Sequence, residues 1–225
     1  MPFTIVCGDI TQMHTDAIVN AANTELQKGG GVCGAIFNAA GTDKLQAACA
    51  PLAPIRTGEA VLTPGFNLSA KCVIHTAGPV YVDGRQGERE QLRLCYQNAL
   101  KRAAEQGCRS IAFPLISSGI YGYPKAEALR VASEEIRRFL SQENCDMDVV
   151  LVLYDKSSFA VGGNLLGEVR RYARWCCAEE ELQSDGTCLV KTRCAPFDQS
   201  DESPTEAVLR IIRKSGKTDA EVCLR

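Results

Sequence analysis

The sequence predicts an α/β protein in which helices cover both faces of a β-sheet, and three observations lead to this prediction. Short apolar segments alternate with segments of helical periodicity over residues 1–155, a pattern typical of strands joined by crossover helices. Glycine or proline closes several of these segments. Polar and glycine-rich stretches follow several apolar segments, as expected where a ligand binds at the carboxyl ends of parallel strands.

Local patterns predict each element in chain order. The strands are short apolar runs, and those at 59–63 and 72–76 are closed by adjacent glycine and proline. The helix at 88–106 has one continuous apolar face and ends at Gly107, and Pro124 suits the first turn of the following helix. The predicted elements are strands 3–7 and 16–19, helices 32–40 and 43–50, strands 59–63 and 72–76, helix 88–106, strand 110–115, a helix after Pro124, and strand 149–153.

Composition excludes several classes of protein. The 225 residues are 45% hydrophobic and 23% charged with a net charge of -2, so no general attraction to nucleic acid or acidic membranes is expected. No signal peptide or bilayer-spanning run is evident, and we predict a cytoplasmic protein. The 12 cysteines are scattered and are interpreted as reduced thiols; the spacing of the C-terminal group fits no common zinc site. We therefore expect no metal and no cofactor.

A glycine-rich loop is the most informative stretch. Three glycines at 29–31 precede a predicted helix, and Asn20 and Asn23 lie just before them. Backbone N–H groups at such a helix start suit phosphate, and asparagine amides suit sugar hydroxyls. An ordinary turn is the alternative interpretation. Residues 29–34 also match G-x-G-x-x-G, but they do not directly follow Val19, as a dinucleotide fingerprint would require.

Five segments in order resemble the macrodomain family. They cover about the first 155 residues, and the resemblance implies a three-layer α/β/α sandwich with a mixed, mostly parallel central sheet. It also implies a cleft for ADP-ribose or for an ADP-ribosylated protein. The segments are Gly8-Asp-Ile10, Val19-Asn-Ala-Ala-Asn23, Gly29-Gly-Gly-Val-Cys-Gly-Ala-Ile36, Ile74-His-Thr-Ala-Gly-Pro79 and Ser117-Ser-Gly-Ile-Tyr-Gly-Tyr-Pro124.

The resemblance implies a role for each site residue. Asp9 and the Ile10 backbone would bind adenine, with Tyr154 packing against the ring. Asn23 would bind the distal ribose, and the 117–122 loop would wrap the diphosphate. Asp9 as a turn residue and Tyr121 as a core residue are the plainer alternatives. The implied ligand-binding residues are Asp9, Ile10, Asn20, Ala22, Asn23, Gly30, Gly31, Val32, Cys33, Ser117, Ser118, Gly119, Ile120, Tyr121, Gly122 and Tyr154. The implied catalytic residues are Asn23, Gly31 and Tyr121.

Two positions depart from the hydrolytic members of the MacroD type. Cys33 stands where those members carry an aspartate that is a catalytic candidate for activating water, and Phe37 stands where they usually carry a histidine. An ordinary thiol does not replace a carboxylate base, although the start of a helix favours its thiolate. Viral macrodomains with alanine at this position resemble the loop as well and hydrolyse ADP-ribose linked to protein carboxylates. The resemblance therefore implies water positioned by the substrate phosphate.

Three functions remain open from sequence. The first is a hydrolase that removes mono-ADP-ribose from protein carboxylates or deacetylates O-acetyl-ADP-ribose. The second is a reader that binds ADP-ribose without turnover. The third is a DNA-tethered regulator that senses the ligand, although nucleic-acid binding is not expected for the chain as given.

The C-terminal third departs from the family pattern. We predict that the macrodomain occupies residues 1–182, including a terminal helix over 157–181, and that a polar linker follows at 183–204. Residues 205–225 read as a helical segment. That segment resembles the start of a truncated helix-turn-helix domain, or else consists of ordinary surface helices.

Overall fold

The computed structural model describes residues 2–142, 146–154, 177–182 and 188–193. Two single 3₁₀ turns, Ile10–Gln12 and Ala50–Leu52, accompany the main elements. The strands and helices are β1 (Pro2–Cys7), β2 (Ala17–Ala22), α1 (Gly31–Ala40), α2 (Thr42–Cys49), β3 (Ala60–Pro64), β4 (Cys72–Ala77), α3 (Glu88–Glu105), β5 (Ser110–Pro114), α4 (Lys125–Leu140), β6 (Asp148–Leu153), β7 (Cys177–Leu182) and β8 (Cys188–Arg193).

These strands form one mixed sheet in the order β3-β4-β2-β5-β6-β1-β8-β7. The five strands from β4 to β1 in that order are mutually parallel. β3 pairs antiparallel with β4, β8 pairs antiparallel with β1, and β7 pairs antiparallel with β8. Because the central strands are parallel, their carboxyl ends lie along one edge.

Helices cover both faces of the central strands, because side chains of a strand alternate between the two faces. On one face, Val19 and Phe113 pack with apolar residues of α3 and α4 in a single core. On the other face, Ile18 and Ala112 pack with residues of α1 and α2, including Phe37, in a second core. This arrangement confirms the predicted three-layer sandwich.

The structure differs from the predicted elements in two places. β2 continues beyond Val19 to Ala22, because Asn20 and the next two residues stay in register with β4. Residues 177–182 and 188–193 are strands, so the predicted helix over 157–181 is wrong at its end and the predicted linker contains a strand. The rest of that helix, the rest of the linker and the 205–225 segment lie outside the described residues.

No helix in the described part of the chain is long and apolar enough to cross a membrane.

Candidate functional site

The candidate site lies along the edge formed by the carboxyl ends of the five parallel strands. The sheet order places the residues after β4, β2, β5, β6 and β1 in a row along this edge. β2 and β1 are three strand positions apart, which is about 14 Å at the usual spacing between strands. The residues that follow these strands are, in spatial order, Gly78, Asn23, Leu115, Tyr154 and Gly8.

Asp9 and Tyr154 form one end of the row, after the adjacent strands β1 and β6. Asp9 caps the Ile10–Gln12 turn: its Oδ1 accepts hydrogen bonds from Thr11 N at 2.9 Å and from Thr11 Oγ1 at 2.8 Å. The Ile10 side chain is buried beneath this turn. Tyr154 is 75% exposed, so its ring is accessible beside the Asp9 turn.

The glycine loop, defined here as residues 23–31, follows β2 and lies next to Gly78, which is the other end of the row. The half-buried Asn23 accepts a hydrogen bond at Oδ1 from Gln27 N at 3.0 Å and donates one from Nδ2 to Gln27 O at 2.8 Å. The amide therefore shapes the loop in addition to lying at the end of β2. Gly31 starts α1 at φ 59°, a left-handed conformation that favours glycine. Val32 is half-buried against the core beneath α1.

Gln46 on α2 holds the same loop from outside the cleft. Its Nε2 donates to Leu26 O at 3.2 Å, and its Oε1 accepts from Lys28 N at 3.1 Å. Sequence reasoning missed Gln46. A side-chain amide that bonds to a distant backbone leaves no periodic or motif signal.

The serine–glycine loop, defined here as residues 115–123, lies at the middle of the row after β5. Ser117 adopts φ 63° and is buried, and its Oγ has no hydrogen-bond partner among the residues the structure describes. A Cβ at Gly78 would lie 2.4 Å from that Oγ, so only glycine fits after β4. Ser118 Oγ donates to Leu115 O at 2.8 Å, and Gly122 N donates to Gly119 O at 3.0 Å.

The glycine loop and the serine–glycine loop approach each other across the cleft. A Cβ at Gly30 would lie 2.9 Å from Ile120 Cδ1, and Ile120 is 79% exposed. Tyr121 is half-buried; burial, and then the proximity of Cys33, raise the pKa of its phenol. The Tyr121 hydroxyl therefore stays protonated at neutral pH and can donate a hydrogen bond.

Asn20, which was predicted to bind ligand, is fully buried, and the structure contradicts that prediction for its side chain. β2 continues through this residue, so strand alternation directs the amide into the core beneath α1. Its Nδ2 lies 3.0 Å from His75 Nδ1 and 3.7 Å from Cys33 Sγ. His75 Nε2 lies 2.8 Å from Thr63 Oγ1, and burial lowers the pKa of His75 to about 4.

Ala22 and Cys33 are buried on the same side of the sheet. The side chain of Ala22 is 2% exposed and that of Cys33 is 4% exposed. Cys33 Sγ lies 3.8 Å from Gln27 O, so the thiol packs under the glycine loop. Ala22 can therefore contribute only backbone groups to the cleft.

No group of three or more His, Cys, Asp or Glu side chains able to hold a metal ion occurs in the described parts of the chain. The predicted absence of a metal and of a cofactor stays a prediction for the chain as a whole.

A protein-family model described as Macro domain matches residues 19–132. The chain belongs to the macrodomain family. It is 50% identical over 158 residues to a macro domain-containing protein of Chlorobaculum tepidum, an alignment that covers 67% of this chain and 91% of the relative. It is 46% identical over 166 residues to the O-acetyl-ADP-ribose deacetylase of Salmonella typhimurium. This alignment covers 72% of this chain and 92% of that protein.

Solved macrodomains share the fold. The Oceanobacillus iheyensis macrodomain with ADP is 40% identical with a TM-score of 0.67, over 74% of this chain and 90% of that one. The Trypanosoma brucei macrodomain in complex with ADP-ribose is 39% identical with a TM-score of 0.63, over 70% of this chain and 66% of that one. The resemblance inferred from the five sequence segments is therefore confirmed.

Proposed function

We propose that the cleft binds ADP-ribose, with adenine at the Asp9 end and the distal ribose at Asn23. The spatial order of the loops carries this proposal, because groups suited to adenine, diphosphate and ribose follow one another along the sheet edge. The O. iheyensis neighbour with ADP and the T. brucei neighbour with ADP-ribose support it.

Each part of the cleft suits one part of this ligand. The carboxylate of Asp9 has a second oxygen, beyond the one bonded to Thr11, to accept from the adenine amino group. Tyr154 presents an accessible ring for packing against adenine. The start of α1 and the serine–glycine loop offer backbone N–H groups to the diphosphate.

We further propose that the protein hydrolyses O-acetyl-ADP-ribose or releases mono-ADP-ribose from protein carboxylates. The relative named O-acetyl-ADP-ribose deacetylase supports this step. Asn23 and Gly31 would orient the distal ribose, the neutral Tyr121 would cover it, and the substrate phosphate would hold the attacking water. Such positioning lowers the barrier without a protein base. As part of the same proposal, the protein acts in the cytoplasm and binds ADP-ribosylated protein as a partner.

A reader that binds ADP-ribose without turnover is the second candidate, and position 33 favours it. Cys33 is buried beneath the glycine loop and offers no carboxylate to activate water. A positioned general base typically contributes about 10²–10⁴-fold, so turnover in this chain should be slower by that order than in relatives with aspartate there.

Calorimetry with ADP-ribose tests the binding proposal through Asp9→Asn. Asparagine keeps an oxygen that can cap the Ile10–Gln12 turn but removes the charge that faces adenine. Loss of a charge-assisted hydrogen bond should weaken binding by about ten- to a hundredfold. Thr11→Val is the control, because it removes the hydroxyl bonded to Asp9 without touching the carboxylate. Unchanged affinity in Asp9→Asn would overturn the adenine assignment.

A turnover assay on O-acetyl-ADP-ribose and on a carboxylate-linked substrate separates the two candidates. We expect slow release by the wild type, little change in Cys33→Ala, and faster release in Cys33→Asp. Tight binding without release at high enzyme concentration would establish a reader. Loss of release in Cys33→Ala would make the thiol catalytic.

A further inference from the structure

A buried carboxylate outside the cleft holds the segment that follows β4. Glu88 is the first residue of α3 and is 2% exposed. Its Oε1 accepts from the backbone N–H groups of Val82 at 3.2 Å, Asp83 at 3.3 Å and Gly84 at 3.2 Å. Its Oε2 accepts from Gln86 N at 2.7 Å. One side chain therefore accepts hydrogen bonds from four backbone N–H groups within residues 82–86.

Backbone donors also lower the pKa of Glu88 to about 2, its own N–H first and then those of Gln86, Val82 and Asp83. The carboxylate is therefore charged throughout the physiological range of pH. Within this segment the side chains of Val80 and Val82 are 60% and 63% exposed, whereas Tyr81 packs against the core shared with α3. The bonds to Glu88 attach the exposed part of the segment, residues 82–86, to the start of α3.

The same segment contacts the serine–glycine loop directly. Tyr81 N donates to Tyr121 O at 2.9 Å. The rings of Tyr81 and Tyr123 meet edge to face with centroids 5.0 Å apart, a favourable aromatic geometry. Tyr123 N in turn donates to Ser117 O at 3.0 Å, which closes the loop that is proposed to wrap the diphosphate.

We propose that Glu88 is a positioning residue for the ADP-ribose site and acts through Tyr81 on the serine–glycine loop. The four hydrogen bonds of Glu88 end on residues 82–86 and on none of the proposed ligand-binding residues, so its influence passes along the 81–86 segment. This inference rests on the proposed function for its effect on binding. The coupling of Glu88 to the loop is a property of the unliganded protein.

The experiment compares Glu88→Gln with Glu135→Gln in the full chain. Glu135 on α4 is also a buried carboxylate, 1% exposed, and it bonds Arg93 and Gln97 rather than a loop of the cleft. Hydrogen–deuterium exchange is measured without ligand, and ADP-ribose affinity is measured by calorimetry. We expect Glu88→Gln to accelerate exchange at 117–123 and to weaken binding about tenfold, and Glu135→Gln to do neither.

The two readouts keep the proposals distinguishable. Faster exchange at 117–123 with no wild-type binding of ADP-ribose would remove the proposed function and leave the coupling intact. Faster exchange confined to 82–86, or equal acceleration in Glu135→Gln, would overturn the role of Glu88. If Glu88→Gln does not fold, Tyr81→Leu tests the same path by removing the ring contact, and unchanged exchange at Tyr123 would refute it.

Discussion

The two walls of the cleft are held by different chemistry. Side-chain amides hold the glycine loop, with Asn23 bonded to Gln27 and Gln46 bonded to Leu26 and Lys28, and the Lys28 ammonium adds a bond to Asn38 Oδ1 on α1. The serine–glycine loop is held largely by backbone bonds and aromatic side chains; for example, Ile116 N donates to the buried Tyr96 hydroxyl at 3.1 Å. The segment that supports this loop from outside, residues 81–86, is bonded in turn to the buried carboxylate of Glu88.

One proposed ligand-binding residue, Asn23, also supports the wall to which it belongs, the glycine loop. In the serine–glycine loop, the supporting residues Tyr96 and Glu88 lie outside the cleft. A substitution of Asn23 therefore changes a proposed ligand contact and the loop geometry together, whereas a substitution of Gln46, Tyr96 or Glu88 loosens a wall without removing a proposed ligand contact.

The largest expected effect is that of Asn23→Ala, which should abolish the proposed hydrolysis of O-acetyl-ADP-ribose. The change removes the proposed ribose contact together with two hydrogen bonds to the Gln27 backbone, each worth about 0.5–1.5 kcal/mol. Gln46→Ala is the matched control, because it removes two bonds to the same loop without a proposed ligand contact. Single-turnover assays of both variants then show how much of the loss comes from the ribose contact and how much from the loop geometry. Equal losses would mean that Asn23 acts only by shaping the loop.

A smaller effect is expected for Gly34→Ala. The added Cβ would lie 2.7 Å from Gly29 O, so the glycine loop must move. Overpacking of this kind costs about 1–3 kcal/mol, and ADP-ribose affinity measured by calorimetry should fall by roughly ten- to a hundredfold. Gly8→Ala is the control, because its Cβ would meet nothing closer than Met13 Cε at 4.0 Å. Unchanged affinity in Gly34→Ala would show that the loop adapts freely.

The smallest effect expected is a difference in acid sensitivity between two buried groups, His75 and Glu88. Burial lowers the pKa of His75, which contacts Phe37 of α1 in the core, from 6.5 to about 4. The unfolded chain therefore binds this proton first, and stability falls as pH drops from about 6.5 to 4. The pKa of Glu88 is lowered from 4.5 to about 2, so its contribution is complete above about pH 4.5 and is lost as pH falls towards 2.

Urea unfolding as a function of pH measures this difference. We expect His75→Gln to flatten the stability profile between about pH 6.5 and 4, and Glu88→Gln to flatten it only below about pH 4.5. A His75→Gln profile parallel to that of the wild type would contradict the assignment to His75.

Hydrophobic patterning predicted the layers and nearly all the elements up to β6, because strand and helix periodicities are local properties of the sequence. The end of β2 was missed because Asn20 was taken to close the strand. Its pairing with His75 of β4 keeps it in register, and tertiary pairing overrides the weak strand preference of asparagine. β7 and β8 were also missed. β8 pairs with β1, which is far away in sequence, and β7 in turn pairs with β8.

The candidate site was predictable where glycines and loop residues have fixed spacing, as in the two cleft loops. Gln46 and Glu88 were not predictable, because each bonds to backbone groups of a segment whose path only the fold determines. Asn20 could have been assigned to the core from its spacing alone: Ile18, Asn20 and Ala22 alternate on one face of a strand whose apolar members are buried.

Ser117 carries a consequence for the thermodynamics of ligand binding. A serine held at φ 63° with its hydroxyl buried and unpartnered among the described residues is unfavourable in the free protein. The desolvation and the loss of rotamer freedom at this residue are thus incurred during folding, before any ligand arrives. Preorganisation of this kind reduces the entropy lost on association, so a bound ligand should raise the melting temperature of the wild type more than that of Ser117→Gly.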